Sequence, residues 1–190
     1  MEGVKKIKNP STVKDELLEL MFRIYRSTNG KYPALEWVKR KPNPNDFNGF
    51  REVYEPFLKF RLSQEFDELY TYQKDNRIIG TIALVYKRIK EKGIWWVPEE
   101  LMNEKVGLIE FFVVDPEFQG KGIGSTLLEF AVKRLRSLGK DPYVVTFPNL
   151  EAYSYYYMKK GFREIMRYKE FVILKFNHKK FQLEHHHHHH

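Results

Sequence analysis

Apolar residues first recur at helical spacing in Val13, Leu17, Leu20, Met21 and Ile24, a single stripe that predicts a helix over residues 12–27. Thr12 with Asp15 three positions later reads as its capping pair, and residues 4–8 form a short strand before it. Residues 31–49, with Pro33, Pro42 and Pro44, read as loop with one helical turn near Trp37. A second helical segment covers residues 50–66, where Pro56 should start, kink or split it.

From Glu68 the period changes to that of a strand. Residues 69–74 and 77–86, joined by Asp75-Asn76, predict a β-hairpin. Residues 93–105, with Trp95, Trp96 and Pro98, are irregular. Residues 107–115 carry bulky β-formers on both faces, as a central strand covered on both sides would. A glycine-rich turn follows, then a helix with Ile123, Leu127, Ala131, Leu135 and Leu138 inward, ended by Gly139. Residues 143–147 form a strand, 149–160 a tyrosine-laden helix, and 162–168 with 171–176 two closing strands. The order predicts a mixed α/β or α+β sheet rather than a doubly wound one.

Composition narrows the class. The 190 residues are 42% hydrophobic and 16% aromatic, too rich in core material for a disordered chain. Their longest nearly apolar stretch, residues 78–86, is far short of the roughly 20 that a membrane-spanning helix needs. The polar N-terminus shows no signal-peptide pattern, so a cytoplasmic location is expected. The absence of cysteine excludes disulfides, thiolate-held zinc and a cysteine nucleophile. His185–His190, after Leu183 and Glu184, read as a purification tag. That leaves His178 alone to serve a Ser-His-Asp triad, which argues against one. No repeat or linker divides the chain, and a single domain over residues 1–182 is expected, with its core at about 75–176.

A formal charge of +8 first suggests a nucleic-acid partner. Yet residues 1–60 carry +4, residues 61–120 carry −3 and residues 121–182 carry +8. No RNA-binding aromatic motif or basic-region heptad accompanies that charge, so neither nucleic acid nor membrane is expected as partner.

The excess follows the most informative stretch, Asp115-Pro116-Glu117-Phe118-Gln119-Gly120-Lys121-Gly122-Ile123-Gly124-Ser125, which joins a buried strand to an amphipathic helix. Glycines there permit a tight turn and close backbone approach, while the helix start offers amides to a pyrophosphate. The spacing is neither G-x-G-x-x-G nor a P-loop. It fits [Gln/Arg]-x-x-Gly-x-[Gly/Ala] with Gln119, Gly122 and Gly124. On these residues the chain resembles the GNAT (GCN5-related N-acetyltransferase) family, whose motif A has this spacing after a strand ending as Val114-Asp115-Pro116 does here. Residues 149–162 resemble its motif B, an Asn-started helix with a Tyr four residues before Gly-Phe. Counting back from Gly161-Phe162 selects Tyr157, while counting forward from Asn149 gives Tyr156.

The resemblance implies the GNAT-like acyl-CoA N-acyltransferase fold, a mixed, mostly antiparallel sheet flanked by helices. It also implies acetyl transfer from acetyl-CoA, without metal, to a primary amine of a small molecule, peptide or protein. It places the cofactor against the main chain at Phe112, Val113 and Val114, the loop Gln119, Gly120, Lys121, Gly122, Ile123, Gly124 and Ser125, and the motif B residues Asn149 and Tyr156. Attack on a thioester needs a base, an oxyanion donor and an acid. Glu110 is the candidate base, interrupting an apolar strand on the face of Leu108, Phe112 and Val114; the competing reading is a carboxylate paired with a Lys or Arg. Tyr157 is the candidate acid, against a core aromatic. Lys121, Lys133, Arg134 and Arg136 are candidates for the 3′-phosphate, against a solvated helix face. Trp37, Tyr54, Phe57, Trp95 and Trp96 lie where the resemblance gives nothing, and line an acceptor pocket or simply pack. A protein that binds CoA without transfer is the alternative, and oligomeric state is open, a homodimer included.

Overall fold

The computed structural model describes residues 2–147 and 151–177. Its strands are β1 (Gly3–Lys6), β2 (Glu68–Lys74), β3 (Arg77–Val85), β4 (Val106–Val114), β5 (Asp141–Thr146), β6 (Phe162–Tyr168) and β7 (Phe171–Phe176). The helices are α1 (Lys14–Ser27), α2 (Phe47–Phe60), α3 (Ile123–Ser137) and α4 (Glu151–Lys159). Strands form one mixed sheet in the order β1-β2-β3-β4-β5-β7-β6, flanked by helices. β1 runs antiparallel to β2, β5 antiparallel to β7 and β7 antiparallel to β6, whereas β4 and β5 are parallel from Val106↔Asp141 to Ile109↔Val144. Among the described residues no helix is long and apolar enough to cross a membrane.

By packing, the chain divides into two compact units, Met1–Ala83 with Phe111–Glu129, and Leu84–Glu110 with the chain from Phe130 onward. In the first, Leu17, Leu20, Met21 and Tyr25 of α1 and Phe50, Tyr54 and Leu58 of α2 form a core with Leu69, Ile78, Phe111 and Val113. Phe50 stands 4.9 Å from the Tyr25 ring and 5.0 Å from that of Tyr54. The 3.6-residue stripe on α1 is thus the face it buries, which is where most of a short helix's stability comes from. In the second unit, Leu135 of α3, Tyr143 and Val144 of β5, and Ile173 and Leu174 of β7 are buried.

Three local features depart from the sequence pattern. Thr12 does not cap α1: its hydroxyl donates to the Asn9 carbonyl at 2.7 Å inside a 3-10 turn over Pro10–Val13. At Trp37 no helix forms but only a single hydrogen-bonded turn over Glu36 and Trp37, closed by Val38 N–H on the Leu35 carbonyl at 3.1 Å. α2 starts earlier than its apolar stripe because Asp46 accepts from Gly49 N–H at 3.0 Å, and it runs past Pro56. The proline removes the bond to the carbonyl of Glu52, an exposed residue where water can replace it.

After Phe60 the helix widens into a π turn, Arg61–Glu65, closed by Phe66 N–H on the Arg61 carbonyl at 2.9 Å. It brings the Arg61 guanidinium to 2.8 Å from a Glu65 carboxylate that is fully buried. The guanidinium also faces the rings of Phe66 at 4.9 Å, Phe57 at 5.2 Å and Phe111 at 5.7 Å. Removing one member takes from the other a counter-charge at 2.8 Å in a buried, largely aromatic setting. Glu65→Ala should therefore cost about 3 kcal/mol, whereas Arg61→Met with Glu65→Leu should recover most of that loss, both read by urea denaturation.

Candidate active site

β4 departs from a regular strand at Phe111, whose φ is +53°. A left-handed aromatic residue costs of order 1–3 kcal/mol and persists only where its surroundings enforce it. Here the buried Thr81 hydroxyl donates to the Phe111 carbonyl at 2.8 Å, and the Phe66 ring lies 5.5 Å from that of Phe111. The left-handed residue interrupts the regular strand geometry between Glu110 and Phe112. Past it Val113 is buried and Phe112 and Val114 half-buried.

The strand ends at Asp115, a fully buried carboxylate. Arg23 of α1 donates from Nε to Asp115 Oδ2 at 2.9 Å, its Nη2 lies 2.9 Å from that oxygen as an ion pair, and Arg77 Nη2 lies 3.8 Å from it. Oδ1 accepts from Glu117 N–H at 3.0 Å, and the Asp115 amide donates to the Ile79 carbonyl at 2.7 Å. The loop thus leaves β4 from a fixed point.

Gly120 and Gly122 have φ of +79° and +83°, and a Cβ built on either would meet no atom within 4 Å. The left-handed turns require glycine, and the space above them is open. Gln119 is exposed and donates from Nε2 to the Val114 carbonyl at 3.2 Å. α3 begins at Ile123, with Thr126 N–H on the Gly122 carbonyl at 3.1 Å, so Ile123, Gly124 and Ser125 form its first turn. The amides of a first turn have no acceptor within their own helix, and its dipole favours an anion. A phosphate-bearing ligand fits this cradle.

Beside it, Lys121 is joined by two cations that spacing alone did not single out, Lys74 and Arg77. Lys121 Nζ, Lys74 Nζ and Arg77 Cζ lie 5.3, 5.7 and 6.0 Å from the centroid of the Phe118 ring. Lys74 and Arg77 flank the two-residue hairpin turn, where both Asp75 and Asn76 have positive φ. Lys133, Arg134 and Arg136 lie ten or more residues along α3, about 15 Å or more from its first turn by helical rise.

In the second unit, Glu110 is buried to 7% exposure and Trp96 to 8%. The Trp96 indole N–H donates to Glu110 Oε1 at 2.6 Å. Trp95, 43% exposed, packs edge-on against Trp96 at 5.4 Å and lies 5.8 Å from Phe171, which meets Phe147 at 4.9 Å. Lys169 Nζ donates to the Trp95 carbonyl at 3.1 Å. Elsewhere, the Trp37 ring lies 4.9 Å from that of Phe57, tilted by 46°. Tyr54 belongs to the core with its hydroxyl unpartnered, and burial raises its pKa above the usual phenol value.

Tyr157 is 5% exposed, its ring 5.7 Å from fully buried Phe162 and 5.8 Å from Tyr156, which is half-buried. Gly161 at φ +96° makes the turn from α4 into β6. Asn149 lies outside the described residues.

A buried strand, a glycine loop opening a helix and a tyrosine helix before Gly-Phe thus follow one another in that order along the chain. A sequence profile of the Acetyltransferase (GNAT) family matches residues 21–162. The chain belongs to the GNAT acetyltransferase family. The fold agrees with solved GNAT structures. The PaiA N-acetyltransferase of Thermoplasma acidophilum, in complex with coenzyme A, superposes with a TM-score of 0.61 at 19% identity, covering 90% of this chain and 97% of that one. A GNAT-family acetyltransferase of Staphylococcus aureus gives 0.60 at 17% identity over 93% and 100%. The ribosomal-protein-S18-alanine N-acetyltransferase of Escherichia coli gives 0.58 at 12% identity over 93% and 95%. Among curated proteins, none matches the chain in sequence. For this GNAT protein, Arg23→Met should cost about 2–3 kcal/mol in urea denaturation, because Asp115 would keep only the more distant Arg77 as counter-charge.

Proposed function

We propose that this GNAT protein transfers an acetyl group from acetyl-CoA to a primary amine by direct attack within a ternary complex. The observation that carries the reading is the loop of residues 119–125, where two left-handed glycines lead from the anchored end of β4 into the first turn of α3. It fits the pyrophosphate of CoA, the ligand held by the Thermoplasma relative. Lys74, Arg77 and Lys121 supply positive charge beside it. The main chain at Phe112, Val113 and Val114 takes the pantetheine arm, and the kink at Phe111 is consistent with a backbone shaped for a ligand rather than for pairing alone.

Glu110 is assigned as general base toward the attacking amine and Tyr157 as general acid toward the departing thiolate, with Tyr156 as the alternative acid. Glu110 is supported by being a buried carboxylate held by a neutral donor. A phenol bears the proton at neutral pH and can release it to the leaving sulfur. In the step, the amine nitrogen bonds to the acyl carbon, the carbon–sulfur bond breaks, and the proton lost by nitrogen is balanced by one gained by sulfur. Without cysteine the chain itself offers no thiol to carry the acyl group.

Acetyl-CoA with a panel of small amines and peptides, followed by titration of released thiol, tests the reading, since the protein contributes no thiol background. Turnover on at least one amine is expected, with Glu110→Gln and Tyr157→Phe each lowering kcat about 100-fold. CoA should raise the melting temperature by mass action. Stabilisation by CoA with no turnover on any amine would identify a non-catalytic CoA-binding protein instead. Full turnover in Tyr157→Phe with loss in Tyr156→Phe would move the acid by one residue.

A further inference from the structure

The segment between β3 and β4 has little regular structure beyond short 3-10 turns at Ile89–Lys92 and Glu99–Leu101. Between them the chain is nonetheless held, because Ile94, Trp96 and Val97 are buried to 8% exposure or less while Trp95 between them is not. An indole in such a place needs an acceptor for its single N–H, and any backbone carbonyl would satisfy it. The acceptor here is the Glu110 carboxylate, at 2.6 Å.

We infer that Trp96 is a positioning residue for Glu110, fixing through its indole N–H the orientation and the ionised, proton-accepting form of the carboxylate. The inference rests on the assignment of Glu110 as base. An indole N–H only donates, so it favours the carboxylate, an acceptor, over the carboxylic acid. It can neither deliver nor remove a proton itself, which leaves the proton from the amine to the carboxylate alone. Trp96 is in turn fixed by the edge-on Trp95 ring at 5.4 Å, and Trp95 by Phe171 at 5.8 Å and by the Lys169 ammonium on its carbonyl at 3.1 Å. The hydrogen bond to the carboxylate is thereby backed by a chain of contacts running to the β6–β7 turn.

The test compares Trp96→Phe, Glu110→Gln and the double variant in the full chain. Trp96→Phe keeps an aromatic ring in the same apolar surroundings and deletes the N–H. Expected is a fall in kcat of about tenfold, the worth of one charge-assisted hydrogen bond. The KM for acetyl-CoA should stay within about twofold, as the glycine loop is untouched. The double variant should be no slower than Glu110→Gln, because the indole acts only through that carboxylate. Independently of turnover, the Trp96 indole resonance in a proton–nitrogen correlation spectrum, assigned by its loss in Trp96→Phe, should lie downfield and move upfield in Glu110→Gln. Wild-type kcat in Trp96→Phe beside a loss in Glu110→Gln overturns the positioning role and leaves the base in place. Wild-type kcat in Glu110→Gln overturns the base assignment and this inference with it. An indole resonance unmoved by Glu110→Gln overturns the hydrogen bond on which the inference stands.

Discussion

The glycine loop depends on a buried carboxylate. Asp115 has no exposed surface, yet it sits where β4 must stop and the loop must begin. An unpaired carboxylate there would be prohibitively costly, so Arg23 reaches it from α1 with two contacts of 2.9 Å to one oxygen while Glu117 N–H satisfies the other. The same residue's amide binds the Ile79 carbonyl of β3. One side chain and one amide therefore tie a helix, two strands and the start of the loop into one register. The loop's glycines can then be exposed and open without leaving its position undefined.

β4 is irregular for a related reason. A regular strand has committed every amide and carbonyl to its neighbours, whereas a kink withdraws some of them from the ladder. At Phe111 the cost of a left-handed aromatic residue is offset by the Thr81 hydroxyl and by burial of the ring among Phe66 and the Arg61 guanidinium. Arg61 is itself held by Glu65 in the π turn that ends α2. The polar pair inside the first unit thus has a use that its stability contribution alone does not explain: its guanidinium packs against Phe111, the strand residue held at a left-handed φ.

The elements that a local pattern encodes were readable in the sequence. The stripes of α1 and α3, the Asp75-Asn76 hairpin and the bounds of β6 and β7 follow from periodicity and turn chemistry, and all are present. The glycine loop was readable because φ above zero is written into residue type at Gly120 and Gly122. What was not readable depends on partners distant in sequence. Arg23 and Asp115 are 92 positions apart, Thr81 and Phe111 are 30 apart, and Trp96 and Glu110 are 14 apart across an irregular segment. Nor does any composition rule place a π turn at Arg61, where an arginine inside an apolar run reads only as a helix continuing. Pro56 misled for the opposite reason: its local rule is strong, but the bond it removes belongs to an exposed turn.

The Trp pair also sharpens what the acceptor must bring. Exposed Trp95 near an acidic stretch invites an ammonium against its ring, but Lys169 Nζ already lies 5.9 Å from that centroid and 5.3 Å from that of Tyr168. A second cation on Trp95 would meet the first, and like charges at such separations repel. On the proposed reading, the charge of an incoming amine is therefore met by a carboxylate and lost there, since only the neutral amine attacks. The exposed indole is left to apolar parts of the acceptor. Selectivity by shape and apolar contact, with the charge handled at Glu110, is the division of labour that this arrangement of residues favours.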